Sequence, residues 1–338
     1  MTEKQNYLMM LKGRHPEWVP QYSMGPNPLG IPPPIKGVAP SFLMDHLFAP
    51  GVTKDHWGVT NVPVPEAGGS KIPEPNNFML RDITKWRDVI KAPDFSHVDF
   101  EVLAKKDLEN AEVNREDTAI AYLTFFGFFQ QLAAFMGFTE ALCAMYEEPE
   151  EVKALVEYMC DFYVDIVTRS IDHYKPDVFN IADDNATWLN PFFSVDMFRD
   201  LFKPSIMRLA KPALDRGLPV EMHDCGRCED FIDDWLDFGV VSWNPAQTSN
   251  DLLAIKKKYG NKLVINGGWD SSKGDLPNRD VSEETVKESV YRAIDTFAPG
   301  GGYAFCGGFL GPLDDEVTKR KNRWVAEAVN SYGRSFYR

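Results

Sequence analysis

The second half of the chain alternates short apolar strands with amphipathic helices, and this alternation limits the possible folds more than any other feature. Strand patterns occur at residues 118–124, 177–183, 219–223, 240–244, 262–266 and 302–306. A helix is predicted after each of them, the first over residues 125–145. The pattern is typical of a parallel sheet, which the right-handed crossover rule closes either as an open doubly wound sheet or as a TIM barrel.

We expect the TIM (β/α)8 barrel, because the sequence lacks the glycine patterns of a nucleotide-binding sheet. The prediction is a single domain over residues 1–338, with the barrel core at 117–338 and an N-terminal extension or cap at 1–116. Thirteen of the 24 prolines lie between residues 16 and 75, and they argue against regular helices there. This Pro-rich segment is interpreted either as a wrapped surface segment or as a lid that faces substrate.

Charge and cysteine content narrow the functional classes. The net charge of −14 argues against nucleic acid and anionic membranes as partners, while it permits a basic protein partner or a neutral substrate. No apolar stretch is long enough to span a bilayer, and the first residues lack a signal-peptide pattern. Five cysteines at irregular spacing favour a reducing cytoplasm over a disulfide framework. We therefore expect a cytoplasmic protein.

Polar side chains stand where the predicted strands end, although the strands themselves are apolar. In a barrel these ends form the rim that carries the chemistry. The rim residues are Asp183, Asp184, His223, Cys225, Asn244, Asn266 and Cys306. Because side chains on a strand alternate between faces, Glu221 points the same way as His223 and Cys225.

The pattern His223-x-Cys225, with Cys306 on a later strand, supplies three soft ligands and leaves a fourth position open, as in a catalytic zinc site. Other interpretations remain. Cys306 alone would be a buried small side chain, and Cys225 with Cys228 has the spacing of a redox pair. Glu221 is a ligand, a partner of a ligand or a proton carrier. Asp184 is either a functional carboxylate or a loop cap.

The chain resembles the uroporphyrinogen decarboxylase superfamily, and within it the cobalamin-dependent methyltransferase branch. The segments that carry the resemblance, over nearly the whole chain, are 6–8, 16–20, 183–184, 193–204, 217–226, 266–270 and 305–308. The resemblance implies a TIM barrel in which His223, Cys225 and Cys306 bind zinc. The arginine-rich motif of true uroporphyrinogen decarboxylases is absent from residues 18–29, which argues against decarboxylation of a porphyrinogen.

The similarity is greatest to the methyltransferase I components of anaerobic O-demethylase systems. It implies methyl transfer from a small aryl methyl ether to the cobalt of a corrinoid protein, with zinc as a Lewis acid on the ether oxygen. We assign catalytic roles to Asp184 and Glu221, which would hold substrate or deliver a proton. The predicted substrate-binding residues are Tyr22, Trp57, Asp183, Asn244, Asn266 and Phe309.

Two alternatives have different chemistry. In the first, zinc activates a thiolate that accepts a methyl group from methylcobalamin. In the second, the protein is a cofactor-free decarboxylase, which would need cationic groups in its pocket; Arg227 and Lys273 are the nearest candidates. A binding module without enzymatic activity would have no reason to align three soft ligands at a rim. A homodimer is compatible with the sequence.

Overall fold

The fold centres on a parallel sheet whose strands come from most of the chain. The computed structural model describes residues 1–65, 70–124 and 127–338. The strands are β1 (Ile35–Val38), β2 (Asn61–Pro63), β3 (Lys71–Pro73), β4 (Ala119–Thr124), β5 (Val178–Ala182), β6 (Val220–His223), β7 (Val240–Ala246), β8 (Val264–Gly268) and β9 (Tyr303–Cys306). In the described residues, seven of these strands form one parallel sheet in the order β1-β4-β5-β6-β7-β8-β9, while β2 and β3 form a separate antiparallel pair.

Helices follow the strands of the parallel sheet, as the sequence pattern predicts. They are α1 (Glu3–Leu11), α2 (Ser41–Phe48), α3 (Trp86–Val89), α4 (Phe100–Asn110), α5 (Phe128–Met136), α6 (Phe138–Glu147), α7 (Pro149–Tyr174), α8 (Val195–Met197), α9 (Lys203–Leu214), α10 (Ile232–Asp237), α11 (Leu252–Tyr259), α12 (Glu283–Phe297) and α13 (Glu316–Ala328). The sheet curls into a TIM-barrel-like fold, so the predicted fold class is confirmed. Residues 125 and 126, the predicted start of α5, lie outside the described residues.

An extended segment before the first strand continues the sheet beside β9. Gln21 forms a parallel bridge with Phe305. The amide of Tyr22 donates to the carbonyl of Phe305 at 2.7 Å, and the amide of Phe305 donates to the carbonyl of Pro20 at 2.9 Å. The position of this segment beside β9 places Tyr22 at the edge where Cys306 ends β9.

The Pro-rich segment contains more regular structure than its composition indicates. The expectation of no helix between residues 16 and 75 is wrong, because α2 occupies eight residues between Pro40 and Pro50. Pro40 precedes the first turn, where its missing N–H breaks no helical hydrogen bond. In addition, β1 pairs with β4 in the main sheet. The boundary at residue 116 stays a prediction, and the sheet takes strands from both sides of it.

None of the helices in the described ranges is long and apolar enough to cross a membrane.

Two histidines lie where α2 meets the start of the β2 hairpin, His46 buried and His56 partly buried. Burial lowers the pKa of His56 to about 3, with a further contribution from His46, and lowers the pKa of His46 to about 4, helped by the charge of Lys71. Their ring centroids lie 6.3 Å apart. The Nε2 atom of His56 lies 2.9 Å from the hydroxyl of Tyr163 on α7. Both rings are therefore neutral in the folded protein near pH 7.

We predict that this pair makes the fold sensitive to acid. Both pKa values lie below the 6.5 of an unperturbed histidine, so the unfolded chain binds more protons as the pH falls below 6.5. The associated stability is present above pH 6.5 and is lost as the pH falls through the folded pKa values. In His56→Phe, the drop in Tm between pH 7 and pH 5 should shrink by about 3 °C, equivalent to roughly 2 kcal/mol.

Thermal unfolding followed by circular dichroism at the two pH values measures this difference. The matched control is His97→Asn, whose side chain is exposed and which should keep the wild-type drop. An equal drop in the His56→Phe variant and the wild type would show that the buried pair does not cause the acid sensitivity.

Candidate active site

The carboxyl ends of the parallel strands bring the predicted functional side chains to one rim. In the sheet register Ala182 lies beside His223, and His223 lies beside Asn244. Further along the sheet, Gly268 lies beside Cys306. A cleft of about 460 Å³ opens at this rim, and His223, Asn244, Cys306 and Tyr22 contribute to its walls. The structure therefore gathers side chains from β6, β7, β9 and the 20–22 segment around one space.

Three potential metal ligands converge beside this cleft. A carboxylate oxygen of Asp184, a ring nitrogen of His223 and the sulfur of Cys225 all lie within 4.8 Å of one another. The sulfur of Cys225 is 3.8 Å from Nε2 of His223. A carboxylate, an imidazole and a thiol together form a donor set that suits Zn²⁺. Two of the three predicted ligands thus meet, together with a residue that the sequence assigned to catalysis.

Cys306 lies at the same rim but outside that cluster of three. It lines the 460 Å³ cleft together with His223. It also lines a second cleft of about 280 Å³, whose walls include Trp188, Trp269 and Asp270. Cys306 therefore stands between two spaces that open on either side of it. Its role as a metal ligand stays a prediction.

Burial keeps the two thiols of the rim protonated when no cation is present. It raises the pKa of Cys306 to about 12, with a smaller contribution from the charge of Glu221. The pKa of Cys225 is raised further, mainly by burial and then by the charge of Asp184. A thiol must lose its proton to bind a metal ion, so the charge of a bound cation would have to offset this burial.

The orientation of Asp184 is set by two donors. The backbone amide of Cys225 donates to its Oδ1 at 2.9 Å, and the side-chain amide of Gln130 donates to its Oδ2 at 2.9 Å. Gln130 lies in the first turn of α5, so that helix and the loop after β6 together hold the carboxylate. These contacts leave Asp184 beside His223 and Cys225, where it could act as a ligand or move a proton.

Glu221 lies below the rim and is fully buried. The hydroxyls of Tyr7 and Tyr22 donate to it at 2.8 and 2.6 Å. Three further donors complete the set, namely the Asn180 amide at 3.0 Å, the Ser242 hydroxyl at 3.0 Å and the Asn266 amide at 3.3 Å. Burial, followed by the charge of Glu221, raises the pKa of both tyrosines well above 10, so their protons stay in place. Because Tyr22 also lines the cleft, it connects Glu221 with the cleft.

The carboxylate of Asp183 forms hydrogen bonds inside the protein. The Asp183 carboxylate accepts the backbone amides of Phe129 and Gln130 at 3.0 and 3.1 Å, so it caps the start of α5. Burial, with a contribution from the charge of Asp184, raises the pKa of Asp183 to about 7. These contacts account for its position, and its predicted contact with substrate stays a prediction.

Cys228, the second cysteine of the Cys-x-x-Cys spacing, makes structural contacts and is not a further thiol of the rim. Asp224 accepts the Asn185 side-chain amide at 2.7 Å, and the sulfur of Cys228 lies 3.2 Å from its Oδ1. Cys228 is fully buried and also contacts the carbonyl of Cys225 at 3.0 Å. The side chain of Cys228 therefore belongs to the packing beneath the loop.

The remaining predicted substrate contacts differ in their distance from the cleft. Asn244 and Tyr22 line it, and Asn266 lies below it with Glu221. Trp57 is buried and donates its ring N–H to Tyr163 at 2.7 Å. Phe309 lines a neighbouring groove. In the described structure neither Trp57 nor Phe309 lines the 460 Å³ cleft.

Sequence reasoning missed several residues that shape the site. Ser242 had a detectable signal, because it lies two positions before Asn244 and so shares its face of β7. Tyr7 and Gln130 had no detectable signal in the sequence, because each lies on a helix whose pattern shows only an apolar face. Their roles depend on which helix end reaches the rim.

Comparisons with a protein family and with one solved structure agree with this architecture. The family described as uroporphyrinogen decarboxylase (URO-D) matches residues 65–314. A methyltransferase from Methanosarcina mazei superposes with a TM-score of 0.62 and 15% identity, covering 98% of this chain and 99% of that chain. A xylose isomerase-like TIM barrel protein from Mycobacterium smegmatis gives a TM-score of 0.31 and 13% identity, covering 71% and 80%. The comparison with curated proteins finds no match.

We predict that Glu221→Gln destabilises the fold. A Gln amide nitrogen can only donate, and in either orientation it faces the amide donor of Asn180 or Asn266. A buried N–H group then faces another donor and loses its charged acceptor, which should lower the free energy of unfolding by about 1–3 kcal/mol. Urea unfolding measures the change. The control is Glu109→Gln on α4, whose exposed side chain should leave stability nearly unchanged. Equal stability of the two variants would contradict the assigned network.

Proposed function

Because the chain belongs to the uroporphyrinogen decarboxylase family, we propose that it is a zinc-dependent methyltransferase of that superfamily. It moves a methyl group from a small methoxylated compound, of the aryl methyl ether class, to the cobalt of a corrinoid protein. The observation that carries this proposal is the convergence of Asp184, His223 and Cys225 at the edge of a cleft that Cys306 also lines.

The walls of the cleft support a neutral substrate. Among the described residues, the lining contains amide, hydroxyl, proline and aliphatic side chains with His223 and Cys306, but no lysine, arginine, aspartate or glutamate. A polycarboxylate tetrapyrrole would need cations. The two candidates are engaged elsewhere, since Arg227 pairs with Glu229 at 2.5 Å and Lys273 lies 3.8 Å from Asp270. The decarboxylase alternative therefore has little support.

The side chains that would hold zinc are His223 and Cys225. Asp184 lies in the same cluster, and Cys306 lines the same cleft as His223. When bound, the ion would supply Lewis-acid chemistry to the ether oxygen. The chain itself orients the donors: Gln130 and the Cys225 amide hold Asp184, and Asn244 contacts His223 at 2.7 Å. Tyr22 keeps its proton on the hydrogen bond to Glu221, so its oxygen can accept a hydrogen bond from a group in the cleft. Asp184 has a carboxylate oxygen within 4.8 Å of the ligand atoms of His223 and Cys225 and is our candidate for moving a proton.

A second candidate is methyl transfer from methylcobalamin to a thiol. The sulfurs of Cys225 and Cys306 favour it, because a sulfur-rich site suits a thiolate substrate. The same residues would bind the metal, but the thiolate rather than an ether oxygen would occupy the cleft. The direction of methyl flow separates the two reactions.

The surface around the second cleft supports a protein partner. Leu310 and Trp188 line that cleft together with Cys306. Leu310 is 84% exposed, Leu313 is 77% exposed and Leu189 is 70% exposed. Leu313 lines an adjoining groove together with Leu310, and Leu189 follows Trp188 in the chain. Strongly exposed apolar side chains grouped beside a site are typical of an interaction surface. We assign this surface to the corrinoid protein, which must bring its cobalt to the rim.

The metal is tested with two cysteine variants. The purified wild type should contain about one zinc per chain, and Cys225→Ser should lose most of it because a hard oxygen replaces a thiolate ligand. The control Cys143→Ser, an exposed cysteine on α6, should keep the metal.

Incubation with cob(I)alamin and a panel of aryl methyl ethers should produce methylcobalamin, which is detected by its absorbance. A metal-free and fully active wild type would refute the site. Methyl flow only from methylcobalamin to a thiol would establish the second candidate.

The partner surface is tested by charge. In Leu313→Asp, methyl transfer to a protein-bound corrinoid should fall about tenfold or more, because an apolar anchor of the interface is replaced by a charge. Transfer to free cob(I)alamin should be unchanged. The control Leu253→Asp places the same charge on α11, where the native side chain is also exposed. Equal losses with protein-bound corrinoid in both variants would argue against this surface.

A further inference from the structure

The side-chain amide of Asn244, at the rim, has two polar atoms, and only one of them contacts the imidazole of His223. Asn244 lies beside His223 in the register of β6 and β7. Its Oδ1 atom is 2.7 Å from Nδ1 of His223. An amide oxygen can only accept a hydrogen bond, so Nδ1 carries the proton of the neutral ring. The Nε2 atom, 3.8 Å from the sulfur of Cys225, then carries a lone pair and can act as a metal ligand together with Cys225 and Asp184.

The other end of the same amide is unused. Within the described residues, Nδ2 of Asn244 is buried and has no hydrogen-bond partner. The residue is 3% exposed and lines the cleft together with His223 and Cys306. Another asparagine of the cleft shows the contrast, because Asn322 uses both ends of its amide on the backbone of Phe309, at 2.7 and 3.0 Å. A buried N–H group without an acceptor is unfavourable, and an oxygen atom bound in the cleft would remove that cost.

We propose that Asn244 links the two halves of the reaction site: its Oδ1 holds His223 in the tautomer that binds a metal through Nε2, and its Nδ2 donates to the oxygen of the bound substrate. The first part concerns the chain alone. The second part rests on the proposed function, since the oxygen is that of a methoxylated compound. As the methyl group leaves, negative charge grows on this oxygen, and a donor already in place stabilises it.

Two substitutions separate these roles. Asn244→Asp keeps an oxygen that accepts from Nδ1 of His223 but loses the donor. Asn244→Ala loses both. The matched control is Gln21→Ala, because Gln21 lines the same cleft while its side chain contacts Asn27 at 3.0 Å and not His223. Circular dichroism and the midpoint of thermal unfolding establish that each variant is folded.

The positioning role is tested without metal or turnover. Histidine labelled with ¹⁵N in metal-free protein above pH 8 reports the ring tautomer by long-range NMR, and His223→Gln identifies the signal. The wild type, Asn244→Asp and Gln21→Ala should show the Nδ1–H form. Asn244→Ala should lose it. Zinc affinity, measured by competition with a chromogenic chelator, should fall about 10–100-fold in Asn244→Ala and not fall in Asn244→Asp.

The donor role is tested by turnover with free cob(I)alamin and an aryl methyl ether. Asn244→Asp should lose about tenfold or more in kcat although it keeps its zinc, because a carboxylate repels the oxygen that gains charge. Full turnover of this variant would overturn the donor role. An unchanged tautomer and zinc affinity in Asn244→Ala would overturn the positioning role. If the wild type transfers no methyl group, the proposed function and the donor role fall with it, whereas the NMR result still decides the positioning role.

Discussion

The buried carboxylate of Glu221 is the point on which the rest of the structure depends. A charge without water is tolerated in a protein interior only when hydrogen bonds replace its hydration. Here the donors come from α1, from the 20–22 segment and from the strands β5, β7 and β8. One side chain on β6 therefore ties the N-terminal helix and the segment beside β9 to the centre of the sheet. An error in the register of any of these elements would leave the charge incompletely paired.

This network also sets the floor of the candidate site. Two residues beyond Glu221, on the same face, His223 reaches the rim, and the chain then turns at Gly226. That turn needs glycine, because its φ is +94° and a Cβ atom would lie 2.5 Å from the carbonyl oxygen of Thr187. Tyr22 connects the buried network with the cleft. The Pro-rich segment thus has two functions, since it extends the sheet and supplies one wall of the cleft through Met24, Pro26 and Pro28.

The side chains of the cleft are the basis on which we propose a methyltransferase rather than the decarboxylase of the family name. One barrel can serve either reaction, so the proposal depends on the residues of the site and not on the fold. The described lining of this cleft carries no formal charge apart from ionisable His223 and Cys306. Soft donors beside a neutral cleft suit an uncharged substrate activated by a cation. In our proposal, exposed Leu310 at the second cleft belongs to the surface that receives the protein partner.

The sequence by itself determined the parallel strands, the barrel-like fold and the side chains that face the rim. These follow from local periodicity, because alternation along a strand specifies a face and the carboxyl ends of parallel strands meet at one edge. Tertiary structure decided which rim residues touch. The partners of Glu221 include Tyr7 and Tyr22, 214 and 199 residues away in the chain. The place of Asp184 beside Cys225 likewise depends on the positions of α5 and the loop after β6. Trp57, whose contact with substrate stays a prediction, packs against α7, and α2 forms between prolines. A pattern of period two contains no information on depth or on distances between strands, so only the folded chain shows these contacts.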